Sequence, residues 1–66
     1  MKIKINGEPR DLSPPLTVAE YLATLGLEVE RVAVEHNHRI LPRENFAEAQ
    51  LADGDTLEII QFVGGG

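Results

Sequence analysis

Only one stretch of this 66-residue chain reads as a helix, and that constrains the fold more than any other feature. Thr17-Val18-Ala19-Glu20 has the capping-box pattern. In that pattern the threonine hydroxyl accepts from the N3 amide, and the glutamate reaches back to the N-cap amide. Val18, Leu22 and Leu25 then fall on one face at helical spacing, with Tyr21 beside them. Gly26 supplies the left-handed position that ends such a helix. The spacing predicts about two and a half turns. A helix that short is not stable alone and must pack against a sheet.

The flanking segments supply one. Lys2-Ile3-Lys4-Ile5 alternates polar and apolar, the period of a half-buried strand. Asn6-Gly7 follows at once and signals a hairpin, because both residues tolerate positive φ. The return arm, residues 8–12, contains Pro9 and reads as an edge strand. Ser13-Pro14-Pro15 breaks regular structure. Val32-Ala33-Val34-Glu35 alternates again and reads as a central strand, His36-Asn37-His38 as a solvated turn, and Arg39-Ile40-Leu41 as a short strand before Pro42. Residues 43–50 have a poor hydrophobic period, with Phe46 as their core anchor; residues 52–55 form a turn and residues 56–63 the last strand. The order β-β-α-β-β-β predicts an α+β fold, a sheet of four to five strands with one main helix packed across it.

Length and composition narrow the function classes. A chain of 66 residues is expected to be one domain, with residues 63–66 as a flexible tail. Eleven Asp and Glu against six Lys and Arg give a net charge of −5, which argues against a nucleic-acid partner and suits a basic protein surface. With no cysteine there is no disulfide framework, thiolate metal site or cysteine nucleophile. No apolar run is long enough to span a bilayer, and Met1-Lys2-Ile3-Lys4 opens straight into alternation without a signal-peptide core, so the expected location is the cytoplasm.

Catalytic sets are thin. His36 and His38 have chelate spacing, but nothing else is spaced to complete a metal site, so none is expected. Ser13 lies between Leu12 and two prolines with no nucleophile-elbow motif. The carboxylates scatter over polar faces, and no phosphate-binding loop is present.

What needs explaining is Gly64-Gly65-Gly66, which the last strand enters without a spacer. Three extended residues reach about 10 Å beyond a sheet. Lacking Cβ atoms, they can thread a narrow channel in a partner and present a terminal carboxylate. A carboxylate is a poor electrophile until adenylation gives it a leaving group, after which sulfur or nitrogen can attack. In the preceding strand Leu57 and Ile59 fall on one face and Ile60 and Phe62 on the other. If the helix covers the first face, Ile60, Phe62 and the adjoining Val63 form an apolar partner site beside the tail; a loop over the second face is the alternative.

Taken in order, Ile5-Asn6-Gly7-Glu8, Thr17-Val18-Ala19-Glu20-Tyr21-Leu22, Val32-Ala33-Val34-Glu35 with Asn37, Ile40-Leu41-Pro42-Arg43, Leu51-Ala52-Asp53-Gly54-Asp55 and the ending from Ile59 to Gly66 resemble the ThiS family. These are sulfur carriers of thiamin thiazole synthesis, prokaryotic relatives of ubiquitin. Where the family commonly has glycine after Asn37, this chain has His38.

The resemblance implies a ubiquitin-like β-grasp fold, with the first and last strands parallel at mid-sheet, and a co-substrate rather than an enzyme. A ThiF-type adenylating enzyme would use ATP and Mg to adenylate Gly66, neither cofactor being held by the carrier itself. Sulfur from a cysteine desulfurase would then give a thiocarboxylate, the donor for thiazole synthase. Gly65 and Gly66 map onto the family's terminal pair, with Gly64 outside it. A carrier for molybdopterin or tRNA thiolation would share this tail. From a different class, a ubiquitin-like interaction module with an inert tail fits the same residues.

Overall fold

The Asn6-Gly7 turn folds the first two strands onto each other in a computed structural model that describes residues 1–63. Asn6 (φ 51°) and Gly7 (φ 82°) both take the left-handed conformation of a two-residue hairpin turn. They join β1 (Lys2–Ile5) to β2 (Glu8–Asp11), in register with Ile5 opposite Glu8. Pro9 is accommodated because β2 is an edge strand, as its sequence indicates.

Helix α1 (Val18–Thr24) starts where the capping box places it. The Glu20 amide donates to Thr17 Oγ1 (3.1 Å) and the Thr17 amide to Glu20 Oε1 (2.8 Å). The helix has seven residues, shorter than the spacing indicates. Leu25 is its C-cap, and two Schellman bonds close it, from Gly26 N to the Ala23 carbonyl (3.0 Å) and Leu27 N to the Leu22 carbonyl (3.2 Å). Leu25 therefore leaves the buried face, with 47% of its surface exposed, and Val18, Tyr21 and Leu22 form that face alone.

Strands β3 (Val32–His36), β4 (Arg39–Leu41) and β5 (Thr56–Gln61) complete a five-stranded sheet of order β2-β1-β5-β3-β4. β1 and β5 run parallel and the other neighbours antiparallel. This is the β-grasp arrangement. β3 is interior, as expected, but the middle position belongs to β5. β5 also ends at Gln61, two residues before the expected end of the last strand, because β3 begins at Val32 directly opposite.

One side of the sheet meets the helix. Ile3, Ile5, Val32, Val34 and Leu57 pack against Val18, Tyr21 and Leu22, with Phe46 and Leu51 closing the core. Phe46 enters from a 3-10 turn (Arg43–Asn45), its amide donating to the Arg43 carbonyl (3.1 Å). Among the described residues no polar side chain is buried, and no helix is long and apolar enough to cross a membrane.

Candidate functional site

Strand periodicity sorts the side chains of β5 onto two faces. Leu57 is fully buried and Ile59 packs against the core, whereas Ile60 and Phe62 each expose 54% of their surface and Val63 exposes 94%. Among the described residues no loop covers the second face. β5 thus leads with a bare apolar edge toward Gly64, Gly65 and Gly66, which lie outside the described residues.

The register extends this surface to two residues that the sequence reading did not assign to it. Ala33 stands opposite Ile60, and Ile40 stands opposite Glu35 on β4, so both share the outer face. Ile40 is 81% exposed. Ala33, Glu35, Ile40 and Ile60 line a shallow depression of about 210 Å³. A three-residue strand has too little alternation to say which side faces water, so the face of Ile40 is set by its register with β3.

Beside this patch Glu35 and Glu58 are directly opposed across β3 and β5. Like charges so placed destabilise a sheet. Among the described residues neither carboxylate has an ion-pair partner. A basic group on a docking protein would relieve the repulsion.

The strand that carries the patch is pinned along both edges. On the β1 side the ladder ends at Asn6, whose side chain then substitutes for a peptide: the Ile59 amide donates to Asn6 Oδ1 (2.7 Å) and Asn6 Nδ2 donates to the Ile59 carbonyl (3.2 Å). On the β3 side the Phe62 amide donates to the Arg31 carbonyl (2.8 Å), one residue past the end of β5.

His36 is a correction to the sequence reading. It belongs to β3 rather than to a solvated turn, because Asn37 (φ 53°) and His38 (φ 68°) make the turn by themselves. Its Nε2 lies 2.8 Å from Asp55 Oδ2, and both side chains are largely shielded from solvent. An ionised carboxylate only accepts, which assigns the proton to Nε2. Asp55 also accepts from Asn37 Nδ2 (3.1 Å) and the Ala52 amide (2.9 Å). Burial works to raise the Asp55 carboxyl, but the bonds from His36, Ala52 and Asn37 outweigh it and hold the group below the usual aspartate value. Asn37 completes the knot, its Oδ1 accepting from the Thr56 amide (2.9 Å). Among the described residues no group of three or more His, Cys, Asp or Glu side chains could hold a metal ion.

Comparison with known proteins agrees with this geometry. The ThiS family model matches residues 3–66. The sulfur carrier protein ThiS of Bacillus subtilis is 44% identical over 50 residues, 76% of each chain. A thiazole synthase of Paramagnetospirillum magneticum is 47% identical over the whole chain, which spans only 20% of that protein's length. The crystal structure of a thiamine biosynthesis protein (ThiS) from Geobacter metallireducens superposes with a TM-score of 0.84 at 38% identity, covering 100% of both chains. The family model spans nearly all of the chain and the superposed fold is the same, so the chain belongs to the ThiS family.

Proposed function

We propose that the chain is a sulfur carrier in thiamine biosynthesis, a cytoplasmic co-substrate of one domain whose Gly66 carboxylate holds the sulfur. The carboxylate oxygen attacks the α-phosphorus of MgATP on a ThiF-type adenylating enzyme, releasing pyrophosphate and forming an acyl adenylate. The terminal sulfur of a persulfide, charged from cysteine by a cysteine desulfurase, attacks the acyl carbon and AMP leaves. A thiol then cleaves the resulting acyl disulfide, which is reduced to a Gly66 thiocarboxylate as the thiol is oxidised to a new disulfide. Thiazole synthase consumes that sulfur. ATP and magnesium belong to the activating enzyme.

One observation carries this reading: β5, held up to Phe62, leads from a bare apolar face of Ile60, Phe62 and Val63 directly into the three glycines. A rigid domain with such a face docks on the enzyme, while a tail without side chains fits a narrow channel. The Paramagnetospirillum relative supports the acceptor, since a region like this chain and the remainder of that thiazole synthase share one polypeptide.

The test is the intact mass of the chain after incubation with MgATP, the activating enzyme, the desulfurase and cysteine. Sulfur in place of oxygen nominally matches oxidation of Met1, so fragmentation must locate the shift. A shift at Gly66 that thiazole synthase removes is the expected result. No shift, with the enzymes shown active on another carrier, would point to an interaction module with an inert tail.

A further inference from the structure

Among the described residues the last backbone hydrogen bond before the glycines runs from the Phe62 amide to the Arg31 carbonyl (2.8 Å). Arg31 closes a 3-10 turn (Val29–Arg31) in which no side chain is fully buried and Val29 alone packs against the core. A single guanidinium gathers the carbonyls on either side of it. Arg43 Nε donates to the Val29 carbonyl at 2.8 Å, and Arg43 Nη2 lies 3.4 Å from the carbonyls of Glu30 and Val32. Residues 29, 30 and 32 bracket Arg31, so the fork sets the direction in which the Arg31 carbonyl points. Arg43 is itself fixed to the core, because its own carbonyl accepts from the amide of buried Phe46 (3.1 Å).

We infer that Arg43 is a positioning residue for the root of the tail, linking the core through the 29–32 segment to the Phe62 peptide. The inference rests on the carrier reading above and adds to it a determinant of how the tail enters a partner. A planar fork with several donors suits this task, whereas an ammonium group on a flexible stem reaches one carbonyl at a time. Without the fork the Arg31 carbonyl is free to swing, the Phe62 bond opens more often, and the direction of the chain past Gln61 is no longer fixed. The partner must then order those residues on binding. Once the tail is seated in the enzyme, the enzyme's own channel holds it, so the chemical step is unaffected.

The test compares the full-length wild type with Arg43→Ala and Arg43→Lys, by amide hydrogen exchange on the free proteins and by adenylation kinetics with a ThiF-type enzyme. In Arg43→Ala the Phe62 amide exchanges about tenfold faster while the Val34 and Leu57 amides keep their rates. KM for the carrier rises about fivefold at unchanged kcat. Arg43→Lys falls between the wild type and Arg43→Ala in both readouts. Unchanged exchange at Phe62, or equal acceleration at Phe62, Val34 and Leu57, overturns the positioning role, the second outcome meaning that Arg43 only stabilises the domain. A change in kcat at constant KM overturns it as well. A wild-type chain that is not adenylated at all overturns the carrier reading instead, and with it the kinetic half of this proposal, whatever the exchange data show.

Discussion

At its Thr56 end β5 emerges from a knot of polar groups, with Asp55 accepting from His36, Asn37 and the Ala52 amide and Asn37 bonded to Thr56. At its Gln61 end the strand is surrounded by exposed Ile60, Phe62 and Val63, and among the described residues one backbone hydrogen bond, from the Phe62 amide to the Arg31 carbonyl, holds it past its last ladder position. The two ends of one six-residue strand thus differ in kind. The first uses polar side chains to fix non-local pairing, and the second leaves apolar side chains without a covering. On the proposed reading, structure and partner binding are separated along the strand, so substitutions at one end should affect stability and those at the other affinity.

The largest effect is expected between the ends, where Leu57 is fully buried. Leu57→Ala should lose about 2–5 kcal/mol in urea unfolding, whereas Ile60→Ala should stay within about 0.5 kcal/mol of the wild type. Equal losses would erase the distinction between the two faces of β5.

Asp55→Ala comes next, at about 1–3 kcal/mol, because it strands the partners of several hydrogen bonds. Its signature is in pH. The folded state holds the Asp55 carboxyl below the usual aspartate value, so its contribution is complete above about pH 4 and is lost as pH falls through the lower folded value. Thermal unfolding from pH 7 downward should therefore show a steeper acid loss for the wild type than for Asp55→Ala; parallel curves would remove Asp55 from the account.

Phe62→Glu and Ile60→Glu should weaken binding to the activating enzyme about tenfold or more, with unfolding midpoints unchanged. Titration calorimetry reads this directly, and unaltered affinity in both variants would dismiss the patch. The smallest effect is Glu58→Lys, which replaces a facing pair of carboxylates by an ion pair and should raise stability by a few tenths of a kcal/mol to about 1 kcal/mol. The same change should lower affinity for a basic partner surface, so a stabilised domain that binds less well sharpens the contrast between the two ends.

Local chemistry made the elements legible. Asn6-Gly7, the Thr17 to Glu20 box, Gly26 and the Lys2 to Ile5 alternation each act within a few residues, and each stands where its pattern places it. What escaped is non-local. His36 looks like part of a polar turn because its partner, Asp55, lies 19 residues away. The end of β5 depends on where β3 begins, and the exposure of Ile40 on the register of a strand with only three residues. The parallel pairing of β1 with β5 came from family resemblance, since periodicity carries no information about neighbours. The apolar pair Ile60 and Phe62 was readable as a face, but whether anything covered it was a property of the whole chain.

The two outer strands of the sheet bear on how this protein behaves at high concentration. An open strand edge offers a row of peptide donors and acceptors to any other chain, the usual route to aggregation. The Leu12 amide bonds the Met1 carbonyl (2.8 Å), which sets the phase of the β1–β2 ladder and turns the Pro9 nitrogen toward the open side. That position has no hydrogen to give. The opposite edge, β4, runs for three residues between His38, with positive φ, and Pro42. A protein that displays bare isoleucine and phenylalanine on its sheet is thereby denied the long flat edges along which copies would stack.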